Sequence, residues 1–166
     1  MGDNSKSLLP RRFLRILYTI YNTVQAMDTF TAAERAAIMR RIRAKDTGPE
    51  MAVRRMVHGM GFRYRLHDGD LPGKPDLVFP GRGKVLFVHG CFWHGHGCRA
   101  GRNRPSSNRA YWIPKLDRNK ARDVANRRRL RALGWDVLAV WECQLKDPDG
   151  LRRRVAKFLG GADPPC

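Results

Sequence analysis

Acidic residues are scarce in this chain. Asp and Glu number 15 against 33 Lys and Arg, a formal net charge of +18 over 166 residues. An excess of that size is more than a solubility device. It points to a polyanionic partner, nucleic acid first and an anionic membrane surface second. Long apolar runs are also missing. No stretch reaches the roughly 18 uninterrupted apolar residues of a membrane-spanning helix. The early segment "RRFLRILYTIY" places basic residues before an apolar run, but Arg15 interrupts it and no clean small-residue cleavage site follows. Cysteine is limited to Cys91, Cys98, Cys143 and Cys166. Without a secretory signal, four cysteines argue against a disulfide framework and leave metal ligation or free thiols. No internal repeat is present.

The length suits one domain with a single core, and the 42% hydrophobic content lets it fold without staples. Residues 1–26 read as an appendage, disordered or a short helix. Met27 is followed by a good helix start and is an alternative initiator. Residues 27–160 form the expected domain and 161–166 a tail. Thr31-x-x-Glu34 is a capping box opening one helix, and Thr47-x-x-Glu50, with Pro49 in the first turn, opens a second that runs to about Met60. "FRYRL" alternates as a half-buried strand. "DLVF" and "KVLFVH", joined by "PGRG", predict a hairpin. Residues 99–113 read as a loop. Residues 114–133 read as a basic helix with Leu116, Val124, Leu130 and Leu133 as its apolar side. "WDVLAVW" is a buried strand, and "DGLRRRVAKFL" a closing helix capped by Asp149. A strand, a long helix and a strand imply a right-handed crossover and a parallel pair. The expected class is α/β, a mixed sheet covered by helices.

The densest chemistry lies in "HGCFWHGHGC", residues 89–98. Cys91, His96 and Cys98 supply three ligands within eight residues, and Cys143 follows the last strand. Three thiolates and one imidazole match the tetrahedral set that structural Zn2+ favours. The plain alternative is ordinary thiols beside an exposed histidine. Cys166 reads as an exposed thiol. Asp76, in "GKPD", opens a strand whose pairing would bring its carboxylate near the main chain of residues 87–89. A carboxylate plus a carbonyl oxygen suits Mg2+. His94 and His89 could then act on a water there, one as general base. The plain alternative for Asp76 is a strand-start cap, and Glu50 already has a capping role. Phe92 and Trp93, between these groups, can wedge a base step or pack in a core. On the basic helix, Arg118, Lys115 and Asn119 are candidate DNA contacts.

The segments "AKDTGPE", "LPGKPDLVF", "FVHGCFWHGHGC", "YWIPKLDRNKARD" and "LGWDVLAVWEC" resemble, in order and spacing, the very-short-patch mismatch-repair (Vsr) DNA endonucleases over about residues 28–160. The resemblance implies a restriction-endonuclease-like fold with one structural zinc site. It implies a Mg2+-dependent nick on the 5′ side of the T in a T:G mispair, the lesion left by deaminated 5-methylcytosine. Carried over residue by residue, it assigns Asp76 and the main-chain carbonyl of Val88 to Mg2+, and His94 to the general base. His89 and Glu50 would support the waters on the metal. Cys91, His96, Cys98 and Cys143 would hold zinc. Phe92, Trp93 and Trp112 would wedge the DNA from one groove and Met39 from the other. Val88 stands where the family often has Thr, but the implied contact is the carbonyl, which Val keeps. The E-x-K of restriction enzymes is absent, so the histidines would carry its work. The implied setting is the bacterial nucleoid in the cytoplasm, a monomer on double-stranded DNA, with mismatch-repair proteins and a cognate cytosine-5 methyltransferase as partners. Two rivals stand beside this reading: a restriction-linked nuclease or a nickase for another target, and a non-catalytic zinc-containing DNA-binding module.

Overall fold

The computed structural model describes Thr31, residues 45–104 and residues 108–160. The extension 1–26, the boundary at Met27, the helix expected after Thr31 with Met39, and the tail with Cys166 lie outside the described residues.

Helix α1 spans Gly48–Gly59 and starts as its sequence dictates. The Thr47 hydroxyl accepts from the Glu50 amide at 3.4 Å and donates to Glu50 Oε1 at 3.0 Å. Met60 caps the far end, and Gly61 takes the left-handed conformation (φ +84°) that lets the chain turn back. Strand β1 (Arg65–Leu66) is shorter than the alternation in "FRYRL" predicts. Phe62 and Tyr64 do pack on the core, but Leu66 is exposed, and His67, at φ +48°, breaks the extended run.

Strands β2 (Leu77–Phe79) and β3 (Lys84–His89) form the expected hairpin through a 3-10 turn, Pro80–Arg82, closed by Gly83 at φ +61°. A short helix α2 (Arg99–Arg102) and a long helix α3 (Arg109–Ala132) lead to β4 (Asp136–Trp141). A 3-10 segment, Glu142–Lys146, precedes helix α4 (Pro148–Leu159). The sheet order is β1-β2-β3-β4, antiparallel except for the parallel β3/β4 pair.

Alternation along the strands divides the core in two. Leu77, Phe79, Leu86 and Val140 meet Val53 and Val57 of α1 and Leu151, Val155 and Leu159 of α4. Val78, Val85 and Phe87 meet Leu130 of α3 on the opposite face. The sheet is therefore sandwiched, with α1 and α4 on one side and α3 on the other. Lys84 and Arg82 tie the end of α4 to the hairpin by donating to the Phe158 and Leu159 carbonyls at 2.6 and 2.8 Å, where cations also suit the helix dipole.

Four local expectations change. Helix α3 begins at Arg109 rather than at Pro114. Pro114 then lies inside the helix and cannot donate to the Ala110 carbonyl, while the added residues carry Trp112, whose ring is buried. The Cys98 sulfur accepts from the Gly101 amide at 3.4 Å and caps α2, where a loop was expected. Helix α4 is capped by Asp147, whose Oδ1 accepts from the Gly150 amide at 3.0 Å, and not by Asp149, which lies in its first turn. Of the apolar residues assigned to α3, Leu116 and Leu130 are buried but Val124 and Leu133 are exposed.

Candidate active site and cysteine–histidine centre

The parallel β3/β4 pair sets His89 opposite Trp141, so both strands end at the same edge of the sheet. The segments immediately beyond the two strands meet at that edge. After β3 the chain turns tightly: the His94 amide donates to the Gly90 carbonyl at 3.2 Å and the His96 amide to the Cys91 carbonyl at 3.0 Å. Gly95 adopts φ +61°, and a Cβ there would collide with the Lys120 side chain that crosses it. After β4 the chain delivers Cys143, whose amide donates to Cys91 Sγ at 3.4 Å.

The ligand atoms of Cys91, His96, Cys98 and Cys143 all lie within 4.8 Å of one another. His96 Nδ1 is 3.4 Å from Cys143 Sγ and 3.8 Å from Cys91 Sγ. Tetrahedral zinc with ordinary bond lengths sets sulfur and nitrogen ligands about 3.5 Å apart, so the set fits a closed four-ligand site. The amides on Cys91 and Cys98 sulfur would steady thiolates. Trp141 stacks on the His96 ring at 4.4 Å and fixes its plane.

The second cluster sits beside this one. Alternation puts His89 on the α3 side of the sheet with Val85 and Phe87. Its ring is buried and stacks on His94 at 4.0 Å with planes 8° apart. A metal ion lies in the plane of an imidazole that binds it, so rings this parallel do not converge on one ion. Burial, then the neighbouring His94, lowers the His89 pKa to about 4, and its Nδ1 is enclosed without a partner. The pair thus keeps His89 neutral against His94. His94 Nδ1 in turn pairs with Asp123 Oδ2 at 2.5 Å, which leaves Nε2 available. Burial works against ionisation of Asp123, but the His94 hydrogen bond and charge outweigh it and hold its pKa below the usual value. A carboxylate on one imidazole nitrogen orients the ring and aims the other nitrogen outward.

Asp76 does reach the main chain of β3: its Oδ2 accepts from the Val88 amide at 2.7 Å. Burial raises its carboxyl to about 6, opposed by that hydrogen bond, and nearby Glu50 raises it further while Arg54 and His94 lower it. Asp76 belongs to none of the three clusters of close metal-binding groups among the described residues. Glu50 is buried on α1, with Oε1 taken by the Thr47 hydroxyl and Oε2 by the Asp46 amide and Arg54.

Phe92, Trp93 and Trp112 form one aromatic group with centroids 5.0–6.1 Å apart. Phe92 and Trp112 are only 8% and 6% exposed, so two of the three expected wedges are packed away among themselves. Tyr111, at 50% exposure, is the ring on the outside and meets Trp112 edge-on at 5.2 Å. The Lys115 ammonium donates to the Tyr111 hydroxyl at 2.9 Å and lies over Trp112. Asn119 donates to the Trp93 carbonyl at 3.2 Å and so pins the loop to α3. Arg118, Arg122, Arg128 and Arg129 are exposed on the same helix.

Residues 27–100 match the family model of the DNA mismatch endonuclease Vsr. A type II nicking enzyme of Xanthomonas oryzae is 50% identical over 132 residues, covering 80% of this chain and 96% of its own length. The DNA mismatch endonuclease Vsr of Escherichia coli is 39% identical over 139 residues, 81% of this chain and 88% of its own. The chain belongs to the Vsr endonuclease family. It is a DNA-nicking endonuclease, and DNA is its substrate.

Sequence reading of this Vsr-family enzyme overlooked Asp123 and Arg54. Asp123 had a signal. It stands seven residues from both Leu116 and Leu130, two turns in each direction, on the stripe that α3 buries. An acidic residue on the inward stripe of a basic helix needs a partner inside. Arg54 had a weaker signal, four residues after Glu50 on α1.

Proposed function

We propose that this endonuclease hydrolyses one phosphodiester bond on the 5′ side of the T in a T:G mispair. The observation that carries the reading is the His94–Asp123 pair, stacked on neutral His89 at the strand edge beside the buried Asp76 carboxylate. In this reading His94 Nε2 takes the proton of the attacking water, Asp123 holds the ring and balances its positive charge, and His89 and Glu50 hold water and metal ligands in place. Asp76 and the Val88 carbonyl are the groups that would hold Mg2+. When bound there, the ion would supply Lewis-acid stabilisation of charge on the scissile phosphate. Cys91, His96, Cys98 and Cys143 would hold Zn2+ as a structural brace, a role supported by their spacing. We assign the fold to the restriction-endonuclease-like class, since a hairpin followed by a parallel strand carries the site at one sheet edge.

Mismatch preference is supported by the name of the Escherichia coli relative and by the aromatic group beside the histidines. Unstacking costs least at a mispair, so rings that must open and enter a base step select loosened pairs. Met39 would enter from the other groove. Lys115 and Asn119 would meet the mispair, and Arg118 the backbone. The enzyme would work as a monomer on the bacterial nucleoid in the cytoplasm, with mismatch-repair proteins and a cytosine-5 methyltransferase in the same pathway.

The name of the Xanthomonas relative, a type II nicking enzyme, favours a second reading, a restriction-linked nickase tied to one recognition sequence. A panel of duplexes carrying T:G, T:A and C:A pairs in varied flanks, nicked with Mg2+, separates the two. The first reading expects cleavage at T:G and loss with Asp76→Ala. Equal cleavage of T:A removes mismatch specificity, and unchanged nicking by the variant removes Asp76 as the metal ligand.

A further inference from the structure

Among the described residues only Glu50, Arg54 and His89 are buried charged or imidazole side chains. Two of them already have assigned tasks. Arg54 is 6% exposed and lies at the centre of a network. Its Nη1 donates to Asp46 Oδ1 at 2.5 Å. Its Nη2 donates to Glu50 Oε2 at 3.1 Å and meets His67 Nε2 at 2.8 Å. Because a guanidinium only donates, that His67 nitrogen is the acceptor. The Arg54 carbonyl accepts from the Tyr64 hydroxyl at 3.1 Å, which ties the helix to the segment leading into β1.

A buried ion pair contributes little to stability compared with apolar residues of the same volume. The network therefore calls for another account, and Glu50 supplies it. A carboxylate has about four acceptor positions. The Thr47 hydroxyl, the Asp46 amide and the Arg54 guanidinium take three of them. One remains, on a carboxylate that cannot rotate. Helix α1, which carries both residues, packs through Val53 and Val57 on the face of the sheet where Leu86 and Val88 lie, and the Val88 amide holds Asp76, so the network sits on the helix that covers the proposed reaction centre.

We propose that Arg54 is a positioning residue of the nicking reaction: braced by Asp46 and His67, its planar fork locks the Glu50 carboxylate and presents the one open acceptor position to the reaction centre. The proposal rests on the reading that Glu50 serves the metal and its water. A lysine cannot replace this arginine, since a point charge on a flexible stem does not grip three partners at fixed angles.

The test measures single-turnover nicking at saturating DNA and Mg2+, and DNA affinity in Mg2+-free buffer, for Arg54→Met, Arg54→Lys, Glu50→Gln and the Arg54→Met/Glu50→Gln pair. Both arginine variants are expected to nick about 10–100-fold more slowly, as loss of an outer partner of a metal-site group does, with DNA affinity within about twofold of wild type. In the Glu50→Gln background, Arg54→Met is expected to cost less than about threefold more, because the two act as a unit. Full cost of Arg54→Met in that background, or wild-type nicking by either arginine variant beside a slow Glu50→Gln, overturns the positioning role. Wild-type nicking by Glu50→Gln overturns the underlying reading of Glu50 instead. Should the arginine variants fail to fold, Asp46→Asn, at a largely exposed side chain, tests the same brace. It is expected to slow nicking several-fold with DNA affinity intact, and a wild-type rate overturns the proposal.

Discussion

Replacing Asp76 by Asn should stabilise the Mg2+-free protein at neutral pH while abolishing nicking. Burial lifts the Asp76 carboxyl from 3.8 to about 6. Between those values the folded protein holds a proton that the unfolded chain has released. Stability therefore falls as pH rises through the window, and above about pH 6 the penalty is complete. At 1.36 kcal/mol per pKa unit, the shift corresponds to about 3 kcal/mol at pH 7.5 and about 1 kcal/mol at pH 4.5. Asn carries no charge, and its carbonyl oxygen can still accept from the Val88 amide that Asp76 engages at 2.7 Å. Urea denaturation in Mg2+-free buffer, with zinc retained, reads the difference. At pH 7.5 the variant's midpoint should rise by about 1–3 M, given the usual range of denaturant slopes. At pH 4.5 the gain should shrink to about a third. Mg2+ should raise the midpoint of wild type and leave the variant where it is. A variant no more stable than wild type at pH 7.5, or equally favoured at both pH values, would refute the argument that burial of this charge is a cost a bound metal would relieve.

Asp123→Asn should slow nicking about 10–100-fold without weakening DNA binding, since it removes the group that orients His94; a wild-type single-turnover rate dismisses the pair. Purified protein should carry one tightly held zinc per chain, and stripping it with a chelator should lower the melting temperature and release the Cys91–Cys98 loop; full activity with no zinc refutes the brace. Alanine at Arg118, Arg122 or Arg129 should weaken DNA binding uniformly across sequences and reduce the salt slope by about one where that side chain meets a phosphate; unchanged slopes for all three would move the DNA face off α3. Tryptophan emission should change more on binding a T:G duplex than a matched one, because Trp93 and Trp112 leave contact at 5.9 Å; equal responses would dissociate the aromatic group from mismatch sensing.

The local part of this architecture was legible in the chain. A capping box, a Pro-Gly turn signal and the strand–helix–strand rule depend on short stretches of sequence, and the Thr47 cap, the β2/β3 hairpin and the parallel β3/β4 pair appear where they predict. Where the reading faltered, the deciding contact came from far along the chain. Leu66 alternates correctly but finds no cover at the sheet edge. Val124 and Leu133 are apolar yet lie off the line through Trp112, Leu116 and Leu130 that meets the sheet. The His94–Asp123 pair joins residues 29 positions apart, and no periodicity in the 89–98 loop announces it. The grouping of Cys91, His96, Cys98 and Cys143, which could hold a metal, was readable because three of the four lie within eight residues and metal chemistry restricts the fourth.

The burial of Phe92 and Trp112 changes how recognition and chemistry would be joined. An exposed wedge would probe every base step it met. Rings packed on one another would first have to separate, and their apolar surface would then find cover in an opened base step. The two unfavourable events, opening the aromatic group and unstacking the bases, would thus occur together, and a mispair would lower the second. The same loop carries Cys91, His94 and His96 between and beside these rings, and Asn119 fastens the Trp93 carbonyl to the helix that bears Asp123. A shift of Trp93 large enough to enter DNA would therefore be transmitted to both sides of the His94–Asp123 pair, and a metal held by the cysteine–histidine centre would limit how far the loop could travel. On this account, zinc removal should loosen the choice of base pair before it lowers the rate of the cut.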